Sequence, residues 1–144
     1  MPRGALRPYA APMRALGPPP TSEEIEKIAR ATLKALPEPF ADSLGDVVLL
    51  VEEFADDATL DAMGIEDPFE LSGLYEGVPL PEQSVSQSGS LPETIRLFRR
   101  PILDEWAGGD NTLEHLIAHV LVHEVGHHFG LSDDDMHVLE DSVP

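Results

Sequence analysis

The stretch from Asn111 to Gly130, NTLEHLIAHVLVHEVGHHFG, constrains the fold more than any other part of the chain. Leu113, Leu116, Ile117, Val120, Leu121, Val122, Val125 and Phe129 spread around most of a helical wheel. No Lys or Arg interrupts them, and Glu114 and Glu124 are the only acids. A helix apolar on nearly every side has to be enclosed by other elements. Asn111 is a cap-competent residue with Glu114 three positions later, and Gly130 suits the left-handed turn that ends helices. The expectation is a buried helix over residues 112–129, which makes its histidines the anomaly to explain.

His123 and His127 are four residues apart, so both rings leave one face of the helix about a turn apart. Two imidazoles so placed can bind one ion at about 2.0–2.1 Å. Glu124 lies beside them, angled past such an ion rather than onto it. This is the HExxH arrangement, two ligands and a general base for a metal-activated water. A catalytic zinc takes three protein ligands and keeps one position open. Gly130 lets the chain reverse and Asp133 follows, so the pattern extends to HExxHxxGxxD, with His123, His127 and Asp133 as metal ligands and Glu124 as base. His137 is the alternative third ligand, and Glu140 the one remote glutamate. His115 and His119 continue the stripe, but Val120 follows His119 where Glu124 follows His123, so no base accompanies that pair, which suits packing or the orientation of a ligand.

The composition narrows the ion. With no cysteine, thiolate sites and disulfides are excluded, leaving imidazole and carboxylate donors suited to Zn2+. The net charge of −18 is unevenly spread. Residues 1–20 hold Arg3, Arg7 and Arg14 and no acid, which leaves six basic against 27 acidic residues in 21–144. Such a body repels nucleic-acid phosphates and anionic membranes. No run approaches the roughly 18 apolar residues of a membrane span, and the first 20 residues lack the apolar core of a secretory signal. A cytoplasmic protein is expected, with a disordered Arg/Pro-rich tail over 1–20 and one domain over 21–144.

Within that domain Thr21 and Glu24 form a capping box for a helix that Pro37 ends. Val47–Val51 reads as a central strand, Ala58–Met63 as a short helix closed by Gly64, and Leu74–Val78 and Thr94–Arg99 as further strands. In the last of these Ile95 and Leu97 share one face, Arg96 and Phe98 the other. Residues 82–93 form a polar loop. Arg96, Arg99 and Arg100 supply half the basic residues of the body. They suit an edge strand that receives an extended peptide, or simple pairing with neighbouring acids. Tyr75 suits either packing or hydrogen bonding to a substrate.

HEVGHHFGLSDDDM, together with the upstream GLYEGVPLPEQSVSQSGSLPETIRLFRRPIL, resembles the small bacterial zincin-like metallopeptidases. The resemblance runs from about Leu33 to Leu139. It implies an α+β fold, a zinc ion and hydrolysis of a peptide or protein substrate. The helix–glycine–ligand pattern is also similar to the metzincins, with aspartate where most of them use a third histidine. Metzincins carry a methionine turn beneath the metal, and Met136 is the one methionine placed to stand in for it. The fold expected is a small twisted sheet of three or four strands, with an N-terminal helix and the buried HExxH helix beneath. A metal-binding interaction module of the same fold without useful turnover is the alternative, and a purely structural acidic partner protein a third.

Overall fold

The computed structural model describes residues 18–77, except 39 and 45, and residues 93–141. Most of the expected tail and nearly all of the polar loop lie outside the described residues. Helix α1 (Ser22–Ala35) opens with the capping box, in which Thr21 and Glu24 satisfy each other's backbone N–H groups. Its apolar face, Ile25, Ala29 and Leu33, is buried. Pro20, just before the cap, is itself buried, and its carbonyl accepts a hydrogen bond from Arg99 Nε at 2.7 Å. The packed body therefore reaches back at least to Pro20.

After the short helix α2 (Phe40–Ser43) come β1 (Val48–Glu52), α3 (Asp57–Met63), a 3-10 turn at Pro68–Glu70, and β2 (Gly73–Glu76). Then follow β3 (Thr94–Phe98), α4 (Arg99–Gly108), α5 (Leu113–Phe129) and α6 (Asp133–Asp141). The three strands form one mixed sheet in the order β1-β3-β2, with β1 parallel and β2 antiparallel to β3. This is the α+β fold with a small sheet that the sequence implies.

Two strand expectations are corrected. The apolar run at β1 lies at one edge of the sheet, where Leu50 is 39% exposed, and β3 is central. With partners on both sides, β3 has no free edge to offer a peptide. Its arginine instead pairs across the sheet, Arg96 with Glu76 at 3.0 Å and with Glu52 at 3.6 Å. Arg99 pairs with Glu53 at 2.8 Å, and Arg100 lies over the ring of Phe54.

The alternation in β3 decides the two sides of the molecule. Ile95 and Leu97 enter the main core with α1 and α5, while Phe98 joins a second cluster with Ala55, Leu60 and Leu71. The strand ends at Phe98, and α4 begins at Arg99. Pro101 sits in the first turn of that helix, where no intrahelical donor is required. None of the described helices is long and apolar enough to cross a membrane.

Helix α5 starts one residue later than expected. Thr112, not Asn111, is the cap, its hydroxyl accepting from His115 N–H at 3.0 Å. Both residues are competent caps, and the choice of Thr112 lets buried Leu113 open the helix. The helix ends as expected at Gly130, whose φ of 67° and ψ of 34° are left-handed. Leu131 N–H closes back onto Gly126 carbonyl at 2.9 Å, which turns the chain sharply into α6. Ser132 caps α6 by accepting from Asp135 N–H, so Asp133, Asp134 and Asp135 form its first turn. Negative charge is favourable at that end of a helix.

Candidate metal centre

Helix α5 is buried against α1, β2, α4 and α6, but not evenly. Leu116, Ile117, Leu121, Val122 and Val125 face the core. His115 and His127 are exposed and His119 and His123 half-buried. The four-residue spacing of the histidines thus follows an open stripe of the helix. The exposed rings of His115 and His127 escape the burial cost that the composition of the helix implied, while half-buried His123 keeps part of it.

Glu124 is the exception. It is one of two buried polar residues among those described, 8% exposed, and its Oε1 has no hydrogen-bond partner. Nδ1 of His127 stands 3.4 Å from that oxygen, too far for a good hydrogen bond. The carboxylate accepts from the backbone N–H of Tyr75 in β2. Burial pushes its pKa up, opposed mainly by the nearby His127 ring and the Tyr75 N–H. A buried, under-satisfied carboxylate is costly to a fold, and proteins keep such groups chiefly where they do chemistry.

Strand β2 reaches α5 closely because residue 73 is glycine. A Cβ there would meet Val120 Cγ1 at 2.8 Å and Glu124 Cγ at 3.5 Å. This contact positions an open cleft of about 290 Å³ lined by Glu70, Leu71, Ser72, Gly73, Glu105, His119, Val120, His123 and Glu124. Among the described residues no Lys or Arg lines it. Sequence reasoning missed Gly73, Glu70 and Glu105, which carry no motif and come together only through the packing of β2 on α5.

His123 is the best connected of the expected ligands. Burial pushes its pKa down, and neighbouring His119 and His127 act in the same direction, while Glu140 and Asp133 oppose them. Its ring packs edge-on against His119, with centroids 4.7 Å apart. His119 Nδ1 is in turn 2.6 Å from Glu140 Oε1. One ligand atom each from His119, His123 and Glu140 lie within 4.8 Å of one another, the one such group among the described residues. His123, His127 and Asp133 are not drawn that close. Asp133 is exposed at the start of α6, near enough to be felt electrostatically at His123. His137 is exposed on α6.

Met136 is buried directly against α5. A Cβ at Gly126 would meet its Sδ at 2.7 Å and Cγ at 2.8 Å, so the glycine makes room for the methionine between the turns that carry His123 and His127. Tyr75 is half-buried and packs against the main core. Burial, with Glu93 adding to it, pushes its phenol up to about 12.

The donors on the open stripe are imidazoles and those beside it carboxylates, the set that zinc accepts. Two of them lie a turn apart, beside a buried carboxylate with an unused oxygen, so the residues fit a zinc ion. A family model described as zincin-like metallopeptidase matches residues 44–143. No curated protein matches the chain.

Proposed function

As the chain belongs to the zincin-like metallopeptidase family, we propose that it hydrolyses peptide bonds, with zinc held by His123, His127 and Asp133. Membership makes the chain a metal-dependent peptidase or a metal-binding module of that fold. The peptidase reading rests on one observation above all, the buried Glu124 with an unpartnered oxygen on the wall of the cleft.

When bound, zinc polarises a carbonyl and acidifies water to a pKa of about 7. The chain's own residues do the remaining work. Glu124 takes a proton from the attacking water as its oxygen bonds to the scissile carbonyl carbon. As the C–N bond breaks, Glu124 passes that proton to the leaving nitrogen. Its raised pKa suits both transfers. The Tyr75 N–H fixes one side of the carboxylate and leaves Oε1 for the proton. Glu70 and Glu105 on the cleft wall favour peptides with cationic side chains over acidic ones.

The test is turnover of a peptide library by zinc-loaded protein and by Glu124→Gln, with zinc content measured in both. Hydrolysis by the parent alone, at equal zinc, supports the reading. Equal hydrolysis by both removes Glu124 from the role of base. Zinc without hydrolysis selects the metal-binding module.

A further inference from the structure

We propose that His119, His123 and Glu140 form a second divalent-cation site, alternative to the HExxH set and sharing His123 with it. The three residues come from two elements. His119 and His123 lie one turn apart on α5, with ring centroids 4.7 Å apart. Glu140 reaches them from α6 across the turn at Gly130, its Oε1 2.6 Å from His119 Nδ1. All three are half-buried, and one ligand atom of each falls within 4.8 Å of the others.

Two imidazole nitrogens and a carboxylate oxygen suit zinc, cobalt or nickel. Bonds of about 2.0–2.2 Å place tetrahedral donors roughly 3–3.5 Å apart. The His119–Glu140 contact of 2.6 Å therefore opens by about 0.4–0.9 Å, and separations of up to 4.8 Å close by at most about 1.3–1.8 Å. Those are side-chain adjustments, with no movement of α6 required.

Sharing His123 has a consequence. A neutral imidazole offers one nitrogen lone pair, since the other nitrogen carries the proton. His123 then serves one ion at a time, and the two sets compete for it. An ion held by His119, His123 and Glu140 draws His123 away from Glu124 and His127 while the ion count stays at one. On the peptidase reading above, this state is inactive. The cation site itself does not depend on that reading.

The experiment uses the full chain with His127 and Asp133 both replaced by alanine. Both residues are exposed, so the fold is retained. Zinc is titrated against a chromophoric chelator, and cobalt(II) absorption in the visible reports coordination. The His127→Ala/Asp133→Ala protein is expected to keep one ion per chain. Adding His119→Ala should weaken binding by about 100-fold or more, beyond the 10–100-fold typical of a residue that only supports a ligand. Adding Glu140→Gln, which preserves the hydrogen bond to His119 and the seating of α6, should weaken it as well. No ion in the His127→Ala/Asp133→Ala protein, or an affinity indifferent to His119→Ala, would overturn the proposal and leave His119–Glu140 as a hydrogen-bonded pair only. That failure is separate from failure of the peptidase reading, which is measured by hydrolysis in the zinc-loaded parent.

Discussion

Glu124 Oε1 and His127 Nδ1 stand 3.4 Å apart, close enough for the ring to draw the carboxyl pKa down and too far to satisfy the buried oxygen. The carboxylate is thereby left on the cleft wall, buried and short of a partner. Burial raises its pKa, so the metal-free fold disfavours the ionised form, fully so above that raised pKa. At neutral pH the Glu124→Gln chain, stripped of metal by a chelator, should therefore melt at a higher temperature than the parent. The gain expected is on the order of 1 kcal/mol, the scale of a relieved buried acceptor. A lower melting temperature would mean that the carboxylate stabilises the fold.

Met136 and Gly126 should be energetically coupled. Alanine in place of a helical glycine ordinarily adds about 1 kcal/mol. Here the new methyl meets Met136, and overpacking of this kind costs about 1–3 kcal/mol. Gly126→Ala is thus expected to destabilise the parent and to be neutral or favourable in a Met136→Ala background. Urea unfolding of the four proteins measures the coupling, expected near 1 kcal/mol. Strict additivity would show that the contact carries no energy.

The helix that carries the histidines was legible because its apolar residues surround it and Gly130 ends it. The two faces of β3 were equally plain from Ile95 and Leu97 against Arg96 and Phe98. Helix α4 was not, since Pro101 reads as a stop until its position in a first turn is known. Nor was the edge position of β1, because a run of five apolar residues looks the same at the edge or the centre of a sheet. The His119–Glu140 contact joins residues 21 apart and depends on the angle between α5 and α6, which no local pattern encodes.

Asp56 gives a pH-dependent contribution away from the site. Thr59 donates to its carboxylate from hydroxyl and backbone N–H, the latter at 2.7 Å, which holds its pKa below the ordinary 3.8. A depressed carboxyl pKa stabilises the fold above the ordinary value, and that stabilisation is lost as pH falls through the folded one. Asp56→Ala should lower the melting temperature at neutral pH, and the gap should close in acid. A gap that persists below the folded pKa would assign the effect to something other than the charged cap.

The charge of the cleft should appear in peptide affinity. Peptides carrying Lys or Arg should bind more tightly than matched peptides carrying Asp or Glu. The difference should shrink with added salt and in a Glu70→Gln/Glu105→Gln protein. Fluorescence titration with the Glu124→Gln chain, in which turnover is expected to be lost, measures this. Preference for acidic peptides would contradict the reading of the cleft.

The most direct measurement is hydrolysis of an unbiased peptide library by protein carrying measured zinc, beside Glu124→Gln at the same zinc content. Cleavage by the parent, its loss on chelation and its return with zinc are expected. The Gln variant should bind zinc and leave the library intact, its rate reduced by at least the roughly 10²–10⁴-fold ascribed to a general base. Cleavage by Glu124→Gln at the parent's rate, or a zinc-loaded parent that cleaves nothing, would contradict the peptidase reading.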